Sequence, residues 1–128
     1  MLKESYSQFQ KIYLVCGYTD LRKGIDGLAT LIQTRLELDP FQRDILFLFC
    51  GHSSKKIKGL LWEGDGFLLL YKRIEAGSLT WPRTSAEAMQ LTEEQFQLLM
   101  GGFSIVAKRP IRDVNATVVC YFCAKQRK

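Results

Sequence analysis

Two kinds of chemistry are open to the residues of this chain: hydrolysis at a carboxylate-held metal, and binding to a polyanion. The carboxylates Asp20, Asp26, Glu37, Asp39, Asp44, Glu63 and Asp65 are scattered over the first half of the sequence. A two-metal nuclease needs several of them converging in one dry site, and sequence alone does not show convergence. Each has a simpler role, with Asp20 as a helix cap, Asp39 before Pro40 as a helix stop and Asp65 as a turn residue. Glu63 and Asp65, flanking one turn, are the pair to watch.

Thiol and imidazole chemistry has fewer players. Cys16 and Cys50 stand alone in apolar runs and Cys120 and Cys123 form a single C-x-x-C, whereas a structural zinc site normally takes two close pairs or a His pair. His52, the sole histidine, lies in a Gly-His-Ser-Ser-Lys stretch that reads as a loop. Small buried hydrophobes describe the cysteines better, reduced as they stay without a secretory signal. No metal and no cofactor is expected.

The cations make the stronger pattern. Arg22 and Lys23 fall at the start of a helix, Lys55, Lys56 and Lys58 before a hairpin, Lys72 and Arg73 at its far end, and Arg83 after Trp81. Trp62, Tyr71 and Trp81 lie among them, and aromatic rings beside cations stack on unpaired bases. On strands such rings serve more often as core or cross-strand partners. For the lysines a solvated face and a phosphate-binding face both fit. In residues 103–128 the bases Lys108, Arg109, Arg112, Lys125, Arg127 and Lys128 face one acid, Asp113. That segment carries the whole net charge of +5 and leaves residues 1–102 neutral, which is the layout of a basic tail on a neutral body.

The elements that must position these groups follow from periodicity. A length of 128 residues suits one domain, and 47% apolar with 24% charged residues is the balance of a soluble globule. The N-terminus lacks the apolar run of a signal peptide and no stretch is long enough to span a bilayer, so a cytoplasmic protein without a membrane partner is expected. Residues 12–16 read as a buried strand ending at Gly17. Leu21, Ile25, Leu28, Ile32 and Leu36 then draw one stripe along a helix, capped by Thr19 or Asp20 and bounded by Pro40. Gly24 and Gly27 inside it suggest close packing against a sheet. Residues 45–50 form a continuous apolar strand, central in the sheet. Residues 57–62 and 67–74 form a hairpin around the Glu63-Gly64-Asp65-Gly66 turn. Residues 79–81 suit an edge strand ended by Pro82, and residues 83–90 a polar connection. Thr92 with Gln95 makes a capping box, Leu91 with Phe96 a staple, and Gly101 and Gly102 a stop. Residues 118–122 offer one more strand. The reading is an α+β fold: a largely antiparallel sheet of four or five strands with two packed helices, a body of residues 1–102 and a basic extension of residues 103–128.

Three stretches carry a resemblance. TDLRKGIDGL at 19–28 contains Thr19, Asp20, Arg22, Lys23, Gly24, Asp26 and Gly27. KGLLWEGDGFLLLYKRIEAG at 58–77 contains Trp62, Gly64, Asp65, Gly66, Lys72 and Arg73, with Trp81 and Pro82 following. Leu91, Thr92, Gln95, Leu99 and Gly101 complete the pattern. In order and spacing over residues 12–102 the chain resembles the short accessory protein TnpB of insertion-sequence-66-type bacterial transposons. An unrelated, much longer RNA-guided nuclease shares that name and is not meant. The resemblance implies a non-catalytic accessory of DNA transposition, encoded beside a large transposase that carries the catalytic carboxylates. Its partners are then DNA, the transposase, or both. After Gly102, where such proteins often continue with an Asp-Trp-Arg-type segment, this chain has Phe103-Ser104-Ile105. Two other functions stand beside this one: a protein-protein adaptor that never touches DNA, and a metal-dependent nuclease.

Overall fold

A five-stranded sheet in the order β4-β3-β2-β1-β5 organises the computed structural model, which describes residues 2–83 and 87–105. Two 3-10 turns, Leu2–Glu4 and Tyr6–Gln8, precede β1 (Lys11–Val15), α1 (Ile25–Thr34), β2 (Ile45–Cys50), β3 (Lys56–Trp62), β4 (Phe67–Arg73), β5 (Ala88–Gln90) and α2 (Glu93–Met100). β1 runs parallel to β2, joined to it through α1, while the other three pairings are antiparallel. This is the expected α+β fold with a mostly antiparallel sheet.

β2 is the middle strand, and all six of its residues are buried. Phe47 and Phe49 point to one side, where they pack with Val15, Leu28 and Ile32 beneath α1. Leu46, Leu48 and Cys50 point to the other, where Ile12, Leu14, Phe96 and Leu99 pack beneath α2. A strand covered on both faces has no polar side to show, hence its unbroken apolar run.

The hairpin forms as its turn residues require. Trp62 pairs with Phe67, and the Glu63 N–H donates to the Gly66 carbonyl at 2.9 Å. The positive φ, +95°, falls on Gly64, not on the Asp-Gly step, and a Cβ there would lie 3.0 Å from the Arg43 guanidinium. At α2 both halves of the capping box are made between Thr92 and Gln95. The helix ends with Gly102 at φ +89°, its N–H on the Leu99 carbonyl and the Phe103 N–H on that of Leu98. This pair of bonds is a Schellman motif.

Five expectations are corrected. α1 starts at Ile25 behind Gly24, and neither Thr19 nor Asp20 caps it. The Asp20 carboxylate instead binds the backbone and guanidinium of Arg22, and the Thr19 N–H is held by the Cys50 carbonyl. Gly24 is therefore the N-cap, where an added Cβ would meet nothing within 4 Å, and a Cβ on Gly27 would meet only the Lys23 side chain. The helix also ends earlier, at Thr34, and Asp39 closes a turn onto the Phe41 N–H. Residues 79–81 are not a strand: Leu79 and Trp81 both enter the core under α2, and the Trp81 Nε1–H donates to the Val15 carbonyl at 2.9 Å. The edge beside β1 belongs to β5, within the stretch expected to be a polar connection. The expected strand at 118–122 lies outside the described residues. No helix among the described residues is long and apolar enough to cross a membrane.

Candidate nucleic-acid interface

The parallel β1–β2 pair finishes its two strands at the same end of the sheet, so the loops that follow them meet there. The loop after β1 is fastened by the Thr19 N–H on the Cys50 carbonyl and the Gly17 N–H on the Pro82 carbonyl, both 2.8 Å. Arg83 clamps both loops, donating to the Gly17 carbonyl, the Ser54 hydroxyl and the Cys50 sulfur. β3 starts beside them, and its antiparallel register sets Lys58 opposite Tyr71 and Lys56 opposite Arg73.

Between these loops, α1 and the outer end of β3 and β4 lies a groove of about 870 Å³. Five cations line it: Arg22, Lys23, Arg35, Lys56 and Lys58. A single carboxylate, Asp20, accompanies them, and both of its oxygens accept from the Arg22 guanidinium. Those bonds, with one from the Arg22 N–H, hold the Asp20 carboxyl well below the usual carboxylate range and raise the guanidinium. The Lys58 ammonium donates to the Lys23 carbonyl at 3.1 Å and stands 5.9 Å from the Tyr71 ring centre. Tyr71 is 56% exposed and Tyr18, tilted by 37° against His52 with ring centres 3.8 Å apart, 55%. Thr19 lies in the wall, 3% exposed, its hydroxyl without a partner among the described residues.

The sequence-predicted cations thus divide. Arg22, Lys23, Lys56 and Lys58 come together, but the first two precede α1 instead of forming its first turn. Lys55 reaches back to the Gly77 carbonyl, Arg73 pairs with Glu75 at 2.7 Å, and Arg83 is a clamp between loops. Lys72, opposite Ile57, points to the α2 side of the sheet. Trp81 is core, and Trp62 packs with Phe41 and Phe67 at the hairpin turn, away from these cations. Lys108, Arg109 and Arg112 lie outside the described residues. Arg35, Tyr18 and His52 were not anticipated. Arg35 follows Leu28 and Leu31 at helical spacing and is the C-cap of α1, a signal that was readable; the Tyr18–His52 contact joins two loops and had none.

The groove offers no assembled relay. Asp20 is held by Arg22, and the Ser53 hydroxyl accepts from the Lys55 N–H, so both candidates for partnering His52 face elsewhere. Burial pushes the Cys16 and Cys50 thiols up, away from nucleophilic thiolate. Among the described residues no three of His, Cys, Asp and Glu are grouped to hold a metal ion, Glu63 and Asp65 included.

Fold and groove together define a small α+β protein that presents a cationic, tyrosine-rimmed surface at one end of its sheet. The sequence pattern of the family described as IS66 Orf2-like protein matches residues 10–110, and the chain belongs to that family. Membership gives it an accessory role in the transposition of insertion sequences. Two similar proteins come from Sinorhizobium fredii (strain NBRC 101917 / NGR234). One, named "Uncharacterized protein y4jC", is 30% identical over 95 residues, 73% of this chain and 80% of its own. The other, "Uncharacterized protein y4hO", is 32% identical over 92 residues, 72% of this chain and 79% of its own. No solved structure matches the chain significantly.

Proposed function

We propose that the protein serves transposition by binding DNA through this groove, as a non-catalytic subunit acting in the cytoplasm beside the element's large transposase. The observation that carries the reading is the gathering of Arg22, Lys23, Arg35, Lys56 and Lys58 around one surface whose sole carboxylate is already paired. Each such cation that meets a phosphate releases a condensed counterion. Lys108, Arg109 and Arg112 of the basic extension add phosphate contacts in the same way.

The test is a salt titration of binding to one duplex by fluorescence anisotropy. In Arg35→Ala/Lys56→Ala/Lys58→Ala the affinity is expected to fall, and the slope of log K against log salt to become shallower by about 0.9 for each lost contact. Lys108→Ala/Arg109→Ala/Arg112→Ala is expected to act likewise. Equal affinities and slopes in both variants would leave the adaptor reading. That alternative has its own support in Leu98 and Phe103, 38% and 63% exposed, side by side on α2 and its Schellman end. An apolar contact there would bind a protein partner with little dependence on salt.

A further inference from the structure

We infer that the groove takes unpaired nucleotides, a single-stranded DNA segment whose bases stack on Tyr18 and Tyr71 while its phosphates lie against Arg35, Lys56 and Lys58. The inference rests on the DNA-binding reading above and adds to it the class of DNA.

The rings come first. Tyr71 and Tyr18 are each more than half exposed, although aromatic side chains on a sheet or beside it normally bury their faces against neighbours. What stands over Tyr71 is an ammonium, Lys58, and what backs Tyr18 is the His52 imidazole. A ring backed on one side and open to solvent is a platform for a flat partner. Bases within a duplex are stacked on one another and show only their edges in the grooves, so such platforms serve bases that are unpaired.

Shape and polarity agree with the rings. The groove is a shallow, open depression of about 870 Å³, with room for one or two nucleotides to lie along it. A surface made for duplex backbone would need no depression and no rings, only cations along a ridge. Arg35, Lys23 and Lys56 make no ion pair among the described residues, so they are available to phosphate. The buried Thr19 hydroxyl in the wall lacks the hydrogen bond that a buried hydroxyl normally makes. Its oxygen is closed to solvent, so a ligand in the groove would be met by the cations and rings and not by this hydroxyl.

The experiment uses the full chain and measures anisotropy with a labelled oligothymidylate about 15 nucleotides long, within the range covered by single-strand binding folds, and with a duplex of equal length. The oligothymidylate is expected to bind more tightly than the duplex. Stacking is worth about 5- to 150-fold per base, so Tyr18→Ala/Tyr71→Ala, which removes two rings, should weaken single-strand binding by about 30-fold or more and leave duplex binding unchanged. Tyr18→Phe/Tyr71→Phe keeps both rings and should restore single-strand affinity, which a purely structural role for the hydroxyls would not allow. Circular dichroism of each variant reports folding, and Tyr71→Ala alone, at an exposed position, serves if the double variant does not fold. Equal binding of both DNA forms, or loss of both together in the alanine variant, would overturn the inference while leaving DNA binding intact. Competition by thymidine monophosphate as strong as by the oligomer would overturn it in favour of a free-nucleotide pocket. Failure of both DNA forms to bind at low salt would remove the underlying DNA-binding reading, and this inference with it.

Discussion

The two faces of one sheet are covered to different extents. Beneath α2, the 3-10 turns and residues 79–81, fourteen buried apolar residues form one layer; beneath α1 there are nine. α1 has ten residues, about 15 Å of helix, and it covers the middle of the sheet without reaching the outer end of β3 and β4. Lys56, Lys58 and Tyr71 stand on that uncovered face. The groove is therefore what a short crossover helix leaves open, and the cations there need no special fold to hold them.

The largest test of this contrast lies at the centre of the sheet, where both faces are closed. Phe47→Ala on the α1 side and Leu48→Ala on the α2 side should each destabilise by about 2–5 kcal/mol, as deletions in packed cores do. Urea unfolding measures this, and a cost below about 1 kcal/mol for Phe47→Ala would mean that the α1 side is loosely packed throughout, not only at its end. Thr92→Ala removes one half of the capping box on the better-covered side and should lower stability by about 1 kcal/mol at an unchanged m-value. The smallest effect belongs to the open end. Arg35→Ala/Lys56→Ala/Lys58→Ala should change stability by no more than about 0.5 kcal/mol, since these side chains lie in the groove and not beneath a helix. A loss as large as that of Phe47→Ala would erase the distinction between the two regions.

Much of this arrangement could be read in the residues, and what could not has physical causes. Ile45 to Cys50 announces a doubly covered strand, and the turn at residues 63–66 announces the hairpin, because both signals are local. The parallel partnership of β1 with β2 was not foreseen, since it depends on where α1 returns the chain and not on any short pattern. Residues 88–90 are short and end a polar connecting stretch, and they are a strand because β1 supplies the open edge. Leu79 and Trp81 look like a strand and are core plugs instead. For the groove, four of its cations were named in advance. The sorting of Lys56 and Lys58 from Lys72 needed the register, and the pairing of Tyr18 with His52 needed both loops in place.

The order of the strands also bears on how the chain reaches this shape. In the hairpin the first pair, Trp62 with Phe67, joins residues five apart; β1 meets β2 across 34, Lys11 with Ile45, and β5 across 77, Tyr13 with Gln90. Closing the longer loops takes more chain entropy before any contact rewards it. The expected sequence of events is β3 with β4, then β2, with β1 and β5 last. In stopped-flow kinetics Leu60→Ala should then mainly slow folding, whereas Met89→Ala in β5 should mainly speed unfolding; the reverse would contradict this order. Because the loop carrying Tyr18 to Lys23 hangs from the end of β1, its side of the groove would be the last part of the native surface to assemble.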